Sequence, residues 1–219
     1  MPVKSLPTAG SPPSEGVCRY RLDFDRQAPP RWPDYPRLEA WRRILHRLGL
    51  IGRDPKRYGG LAFGNVSQRV AGGFVISATQ TGGQARLGPE GYCLVTAAEI
   101  DANRVAARGV RPPSSEALTH AAVYQASPRV QAVFHGHSPE IWHRWEALEL
   151  GVTPPAAGYG TPALARAVMA QVRRRPEVGV VVMGGHEDGI LAYGLSLAQA
   201  GTLLTCALSR ALTLEIGGA

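Results

Sequence analysis

Apolar positions recur along this chain with two different periods, and the changes of period mark the elements. In "YPRLEAWRRILHRLGLIG" Leu38, Trp41, Leu45 and Leu48 fall at helical spacing, and Gly49 and Gly52 follow as stop signals. "FGNVSQRV" and "GGFVISA" are short β-rich runs around the turn-prone "AGG", which predicts a hairpin. "TQTGG" reads as a flexible loop, and "YCLVTAAEIDANRVAARG" as a strand with a short helix or turn. After Pro112 and Pro113, either Ser114 or Ser115 can cap a helix that runs to Ala126, where Pro128 stops it. "VQAVFHGH" reads as a buried strand, "PALARAVMAQVRRR" as a helix, and "VGVVVMGGH" as a second apolar strand. The last helix is the best marked, because Ser196 and Gln199 form a capping box before "LAQAGTLLTCALSRALTLE". Helices set between strands that are apolar throughout predict an α/β or α+β layered domain whose sheet is buried on both faces.

The first 35 residues do not follow this pattern. Pro7, Pro12, Pro13, Pro29, Pro30 and Pro33 exclude a regular helix or central strand, so residues 1–35 are expected to be a disordered arm and 36–219 the folded domain. A length of 219 residues with 44% hydrophobic and 19% charged positions suits one globular core. No apolar run approaches the roughly 18–20 residues of a membrane helix, and "MPVKSLPTAGSPPSEG" lacks a secretory apolar stretch, so a cytoplasmic protein is expected. The net charge of +7 is scattered in small basic groups without aromatic interleaving or a DNA-reading motif, which argues against nucleic acid as a partner. Cys18, Cys93 and Cys206 are odd in number and form no CxxC pair, so neither a disulfide framework nor a cysteine zinc site is implied.

The candidate chemistry lies in the histidines. Six are present, and His135 and His137 stand one glycine apart at the end of an apolar strand, where side chains two apart project from one face about 6.5–7 Å apart. Both can converge on one ion, while Gly136 leaves room on the opposite face. His186 closes the other strongly apolar run and can supply a third ligand. Three imidazoles with open positions would make a catalytic site for zinc or a similar ion, since structural zinc sites close with four protein ligands. The same spacing is met by histidines hydrogen-bonded at strand ends. Glu116 falls in the first turn of the helix after Pro113, a place for a catalytic carboxylate or for simple complementarity to the helix dipole. His120, four residues on, reads as a packed or supporting histidine. Gly64-Asn65, Thr81-Gly82 and Ser114-Ser115 each offer backbone N–H groups or hydroxyls of the kind that hold anions.

Taken together, "GNVSQR", a Thr-Gly turn, "PPSSEALTH", "HGH" and a later histidine after an apolar strand resemble the class II aldolase/adducin family over roughly residues 37–215. The resemblance implies a three-layer α/β/α sandwich with a largely antiparallel central sheet, commonly assembled as a homotetramer with active sites between subunits. It implies a divalent metal ion, usually Zn2+, on His135, His137 and His186, and Glu116 as the acid/base. It implies that Gly64, Asn65, Thr81, Gly82, Ser114 and Ser115 hold the phosphate of a small phosphorylated sugar or ketose, with Thr79 the rival of Thr81. Glutamate at 116 favours an aldolase. Other members use the same site for epimerisation, dehydration or decarboxylation, and adducin-like modules, which lack the metal ligands, serve in protein interaction. This chain departs from the pattern in a shorter segment between His137 and His186, in which Tyr159 is not aligned with the family's catalytic tyrosine. It departs again at "HEDG", where Glu187 and Asp188 are inserted and read either as solvated acids or as partners of the metal site.

Overall fold

Hydrogen bonding along strands rich in Val, Ile and Ala builds a nine-stranded sheet that organises the molecule. The computed structural model describes residues 18–217. In chain order the elements are β1 (Arg21–Arg26), α1 (Tyr35–Arg47), the short pair β2 (Gly52–Arg53) and β3 (Ala62–Phe63), β4 (Asn65–Val70), β5 (Gly73–Ser77), β6 (Tyr92–Glu99), β7 (Arg104–Gly109), α2 (Ala117–Ala126), β8 (Ala132–His137), α3 (Pro139–Trp142), β9 (Gly151–Val152), α4 (Pro162–Arg174), β10 (Gly179–Val182), β11 (Gly189–Gly194) and α5 (Leu197–Gly217). The sheet runs β1-β7-β6-β5-β4-β8-β11-β10-β9. Only the two edge pairings, β1 with β7 and β9 with β10, are parallel.

Alternation along the strands feeds two cores. Val133, Leu191, Ile76, Val95 and Val105 pack under α2 and α4 on one face. Phe134, Ile190, Val75 and Leu94 pack under α1, α3 and α5 on the other. The expected three-layer α/β/α sandwich with a largely antiparallel sheet is the observed fold.

Several local expectations change. Residues 1–17 of the expected arm lie outside the described residues, but Arg21–Arg26 is a strand, paired with β7 from Arg21↔Arg104 to Arg26↔Gly109. Residues 14–28 contain no proline, and Leu22 and Phe24 alternate so that both pack against the core under α2 and α4. The run after β6 is a second strand rather than a helix, because Val105 and Ala107 alternate into the same core, and Asn103 makes the turn at φ 50°. The serines do not cap α2. Glu116 occupies the cap position, while the Ser114 N–H is held by the Ser77 carbonyl at 3.2 Å. "TQTGG" is a packed turn in which the buried Thr81 donates its hydroxyl to the Ala78 carbonyl at 2.6 Å. Half of the expected capping box forms: Ser196 Oγ accepts from the Gln199 N–H at 3.1 Å, but Gln199 Oε1 accepts from the Leu195 N–H at 2.8 Å, one residue before the cap.

Within α1 the buried side includes an ion pair. Arg42 is almost wholly buried and donates to Glu39 through Nε at 2.7 Å and a terminal nitrogen at 3.0 Å. Glu39 also accepts from the Leu87 N–H and the Tyr92 hydroxyl. Burial raises the Glu39 carboxyl, yet these donors outweigh it and hold the group below its ordinary value. A depressed carboxyl stabilises the fold above its unfolded pKa, and that contribution is lost as pH falls through the folded value. Glu39→Gln should leave the Arg42 charge buried and cost about 3–5 kcal/mol in urea unfolding at neutral pH, with a smaller further loss on acidification than in the parent.

Candidate active site

The site is assembled at one end of the central strands. His135 and His137 project from β8 on the face of Val133, towards the layer that holds α2. The opposite face at Gly136 is filled: a Cβ there would stand 3.0 Å from the Leu50 carbonyl, and the same carbonyl accepts from the His137 N–H at 2.8 Å. His186 is not on a strand. Strand β10 ends at Val182, and His186 sits in the turn before β11, where its N–H is bonded to the Met183 carbonyl at 3.0 Å and its carbonyl to the Gly189 N–H at 3.0 Å.

Three separate stretches thereby bring three imidazoles together. One nitrogen from each of His135, His137 and His186 lies within 4.8 Å of the others, and all three residues are buried. His135 Nε2 and His137 Nε2 are 3.2 Å apart. His135 Nδ1 lies 3.1 Å from the Ile190 carbonyl, and donation there leaves Nε2 with its lone pair aimed at the cluster. Burial, then the neighbouring His186 and His135, and then Arg57 push His137 well below the ordinary histidine value, so its imidazole is neutral at pH 7. Neutral, convergent nitrogen donors are the set that borderline divalent ions bind, so the residues fit such an ion.

Other groups close around this cluster. The Glu116 carboxylate, itself buried, approaches His186 Nδ1 to 3.8 Å from the start of α2. His120, one turn along, is buried, and its Nδ1 lies 2.7 Å from the Ser67 hydroxyl. Its position beside Ser67 and Tyr124 is that of a supporting group, outside the three-histidine cluster. On the other side Tyr58 stacks edge-on against His137, with ring centroids 4.5 Å apart, and donates its hydroxyl to Asp188 at 2.6 Å. Arg57 pairs with the same Asp188 oxygen at 2.8 Å. Asp188 is thus a buried partner of the wall around His137, and Arg57 and Tyr58 join it from a loop that carries little sequence signal. Their only local sign is the pair Gly59-Gly60, which continues the left-handed backbone begun at Tyr58.

The six anion-site candidates also come together. Gly64, Asn65, Thr81, Gly82, Ser114 and Ser115 line one small pocket, with Thr79 among its remaining walls. Gly64, at φ 75°, immediately precedes β4, and a Cβ there would meet Ile51 Cγ1 at 2.7 Å. Asn65 is buried, and its Oδ1 has no hydrogen-bond partner among the described residues. The β4–β8 register sets Asn65 opposite His135, which joins the pocket to the histidine cluster.

An α/β/α sandwich with this cluster and pocket defines a class of protein, and sequence comparison identifies it. The sequence model of the Class II Aldolase and Adducin N-terminal domain matches residues 55–213, and the chain belongs to the class II aldolase/adducin family. Methylthioribulose-1-phosphate dehydratase from Gluconacetobacter diazotrophicus is 33% identical over 102 residues, 46% of this chain and 47% of that protein, so the chain spans about half the length of this curated relative. Among solved structures, the L-fuculose-1-phosphate aldolase from Thermus thermophilus superposes with a TM-score of 0.62 at 22% identity, covering 84% of this chain and 93% of that one. The sugar-phosphate aldolase from Thermotoga maritima gives 0.59 at 15% identity, over 84% and 95%. These two share the fold. Among the described residues no helix is long and apolar enough to cross a membrane.

If the three imidazoles hold an ion, His137→Ala should abolish stoichiometric binding of zinc in isothermal titration calorimetry while the circular dichroism spectrum stays that of the parent. Retained binding at one ion per chain would exclude this cluster as the site.

Proposed function

We propose that this chain is a metal-dependent lyase that cleaves or forms a C–C bond in a small phosphorylated sugar or ketose, by aldol chemistry. The observation that carries the reading is the buried Glu116 carboxylate 3.8 Å from His186, at the edge of three convergent imidazoles. His135, His137 and His186 would hold the divalent ion, and zinc suits an all-imidazole donor set. Such an ion supplies Lewis-acid polarisation of a carbonyl oxygen. Glu116 moves the proton that bond cleavage requires, and its burial removes competing water. Gly64, Asn65, Thr81, Gly82, Ser114 and Ser115 bind the phosphate through neutral donors and so fix the reacting carbon relative to Glu116. Tyr58 and Phe63, packed on His137, restrict its ring. A cytoplasmic homotetramer is part of the same reading and rests on family membership.

A second reading, dehydration of a phosphorylated ketose, is favoured by the 33% identity to a methylthioribulose-1-phosphate dehydratase. It uses the same residues, with Glu116 moving a proton while a hydroxyl group leaves instead of a carbon fragment. Product analysis by mass spectrometry on a panel of phosphorylated ketoses separates the two. Aldol cleavage yields two carbonyl fragments, and dehydration yields one product lighter by a molecule of water. In either case Glu116→Gln should retain metal at the parental stoichiometry and lose about 10²–10⁴-fold in turnover. Turnover close to that of the parent would mean that another group carries the proton.

A further inference from the structure

Tyr159 touches both halves of the site. It lies in the loop between β9 and α4 and is buried. Its hydroxyl donates to Ser115 Oγ in the anion pocket. Its ring packs edge-on against the His186 imidazole, with centroids 4.6 Å apart. The loop is tied to the turn that carries His186. The Gly184 N–H donates to Thr153 Oγ1 at 3.0 Å, and any Cβ on Gly185 would meet the Ala157 carbonyl at 2.1 Å. From the outside, Arg19 stacks over the Tyr159 ring at 5.6 Å and donates to its carbonyl at 3.2 Å. The adjacent Tyr20 donates to the Ser114 carbonyl at 2.8 Å.

We propose that Tyr159 is a positioning residue that joins the anion pocket to the histidine cluster, orienting the Ser115 hydroxyl with its own hydroxyl and His186 with its ring. This rests on the reading of the pocket as the phosphate site. A serine hydroxyl has one proton. Because Ser115 Oγ accepts a hydrogen bond from Tyr159, its own O–H is left to donate to a phosphate oxygen in the pocket. The ring acts separately, by limiting rotation of the His186 imidazole. Residues 19 and 20 brace both contacts, which gives the segment before β1 a role at the site.

The test is a double-mutant cycle on the zinc-loaded full chain, with inorganic phosphate as the probe and calorimetry as the readout. Tyr159→Phe keeps the ring and removes the hydroxyl. It should weaken phosphate binding about tenfold and leave zinc affinity within about twofold of the parent. Ser115→Ala should cost at least as much, and adding Tyr159→Phe to it should cost nothing further, since the tyrosine acts through that hydroxyl. Tyr159→Leu, which removes the ring, should also lower zinc affinity, and thermal melting of each variant checks that it is folded. Parental phosphate affinity in folded Tyr159→Phe, or additive losses in the double variant, would overturn the inference while leaving the pocket reading intact. Absence of phosphate binding by the parent would overturn the pocket reading and the inference with it.

Discussion

The register of β8 between β4 and β11 sets the centre of the site. Asn65 stands opposite His135 on one side, and Leu191 and Gly189 stand opposite His135 and His137 on the other. Side chains alternate along a strand, so a slip of one residue would turn both histidines into the layer of α1 and α5 and drive Phe134 towards α2. The sheet is buried on both faces, which makes such a slip costly: Val133 has its place in one core and Phe134 in the other. The packing that stabilises the sandwich is therefore also what aims the imidazoles. Asn65 follows Gly64 and opens β4, so the same register fixes the candidate anion pocket relative to the cluster.

Within this frame the polar groups are arranged to keep the interior inexpensive. The His137 imidazole can be buried because desolvation and the neighbouring His186 and His135 hold it well below the ordinary histidine value. Asp188 would be costly as a lone buried carboxylate, but it accepts from both Arg57 and Tyr58. Tyr58 in turn rests on His137 and Phe63. Charge near the cluster is thus tied down by groups from the loop before β3.

Much of this was legible in the sequence where the information is local. The hairpin of β4 and β5, the helices α1, α4 and α5, and the buried strand β8 follow from periodicity and caps within a dozen residues. His135 and His137 could be paired because both lie on one strand, and Glu116 could be placed at a helix start. What escaped depends on contacts between distant segments. Tyr58 meets Asp188 across 130 positions, and Tyr159 meets Ser115 across 44. Strand β1 was hidden by the prolines on either side of it, since its pairing with β7 is written in β7 as much as in its own residues. "GILAYG" is short and lies between a turn and a helix cap, yet β11 is wholly buried and lies directly beside β8.

The candidate anion pocket is built mainly from glycines, small hydroxyls and amides, and among the described residues no lysine or arginine lines it. A dianion seated there would meet fixed neutral dipoles in place of mobile cations. Simple salts screen charge pairs far more than they disturb short, buried hydrogen bonds. Occupancy would therefore depend on the shape and hydrogen-bonding valence of the phosphate and only weakly on ionic strength, even though the chain as a whole carries a net charge of +7. The excess of basic residues would act at a distance, drawing anions towards the protein, and the choice among them would be left to geometry.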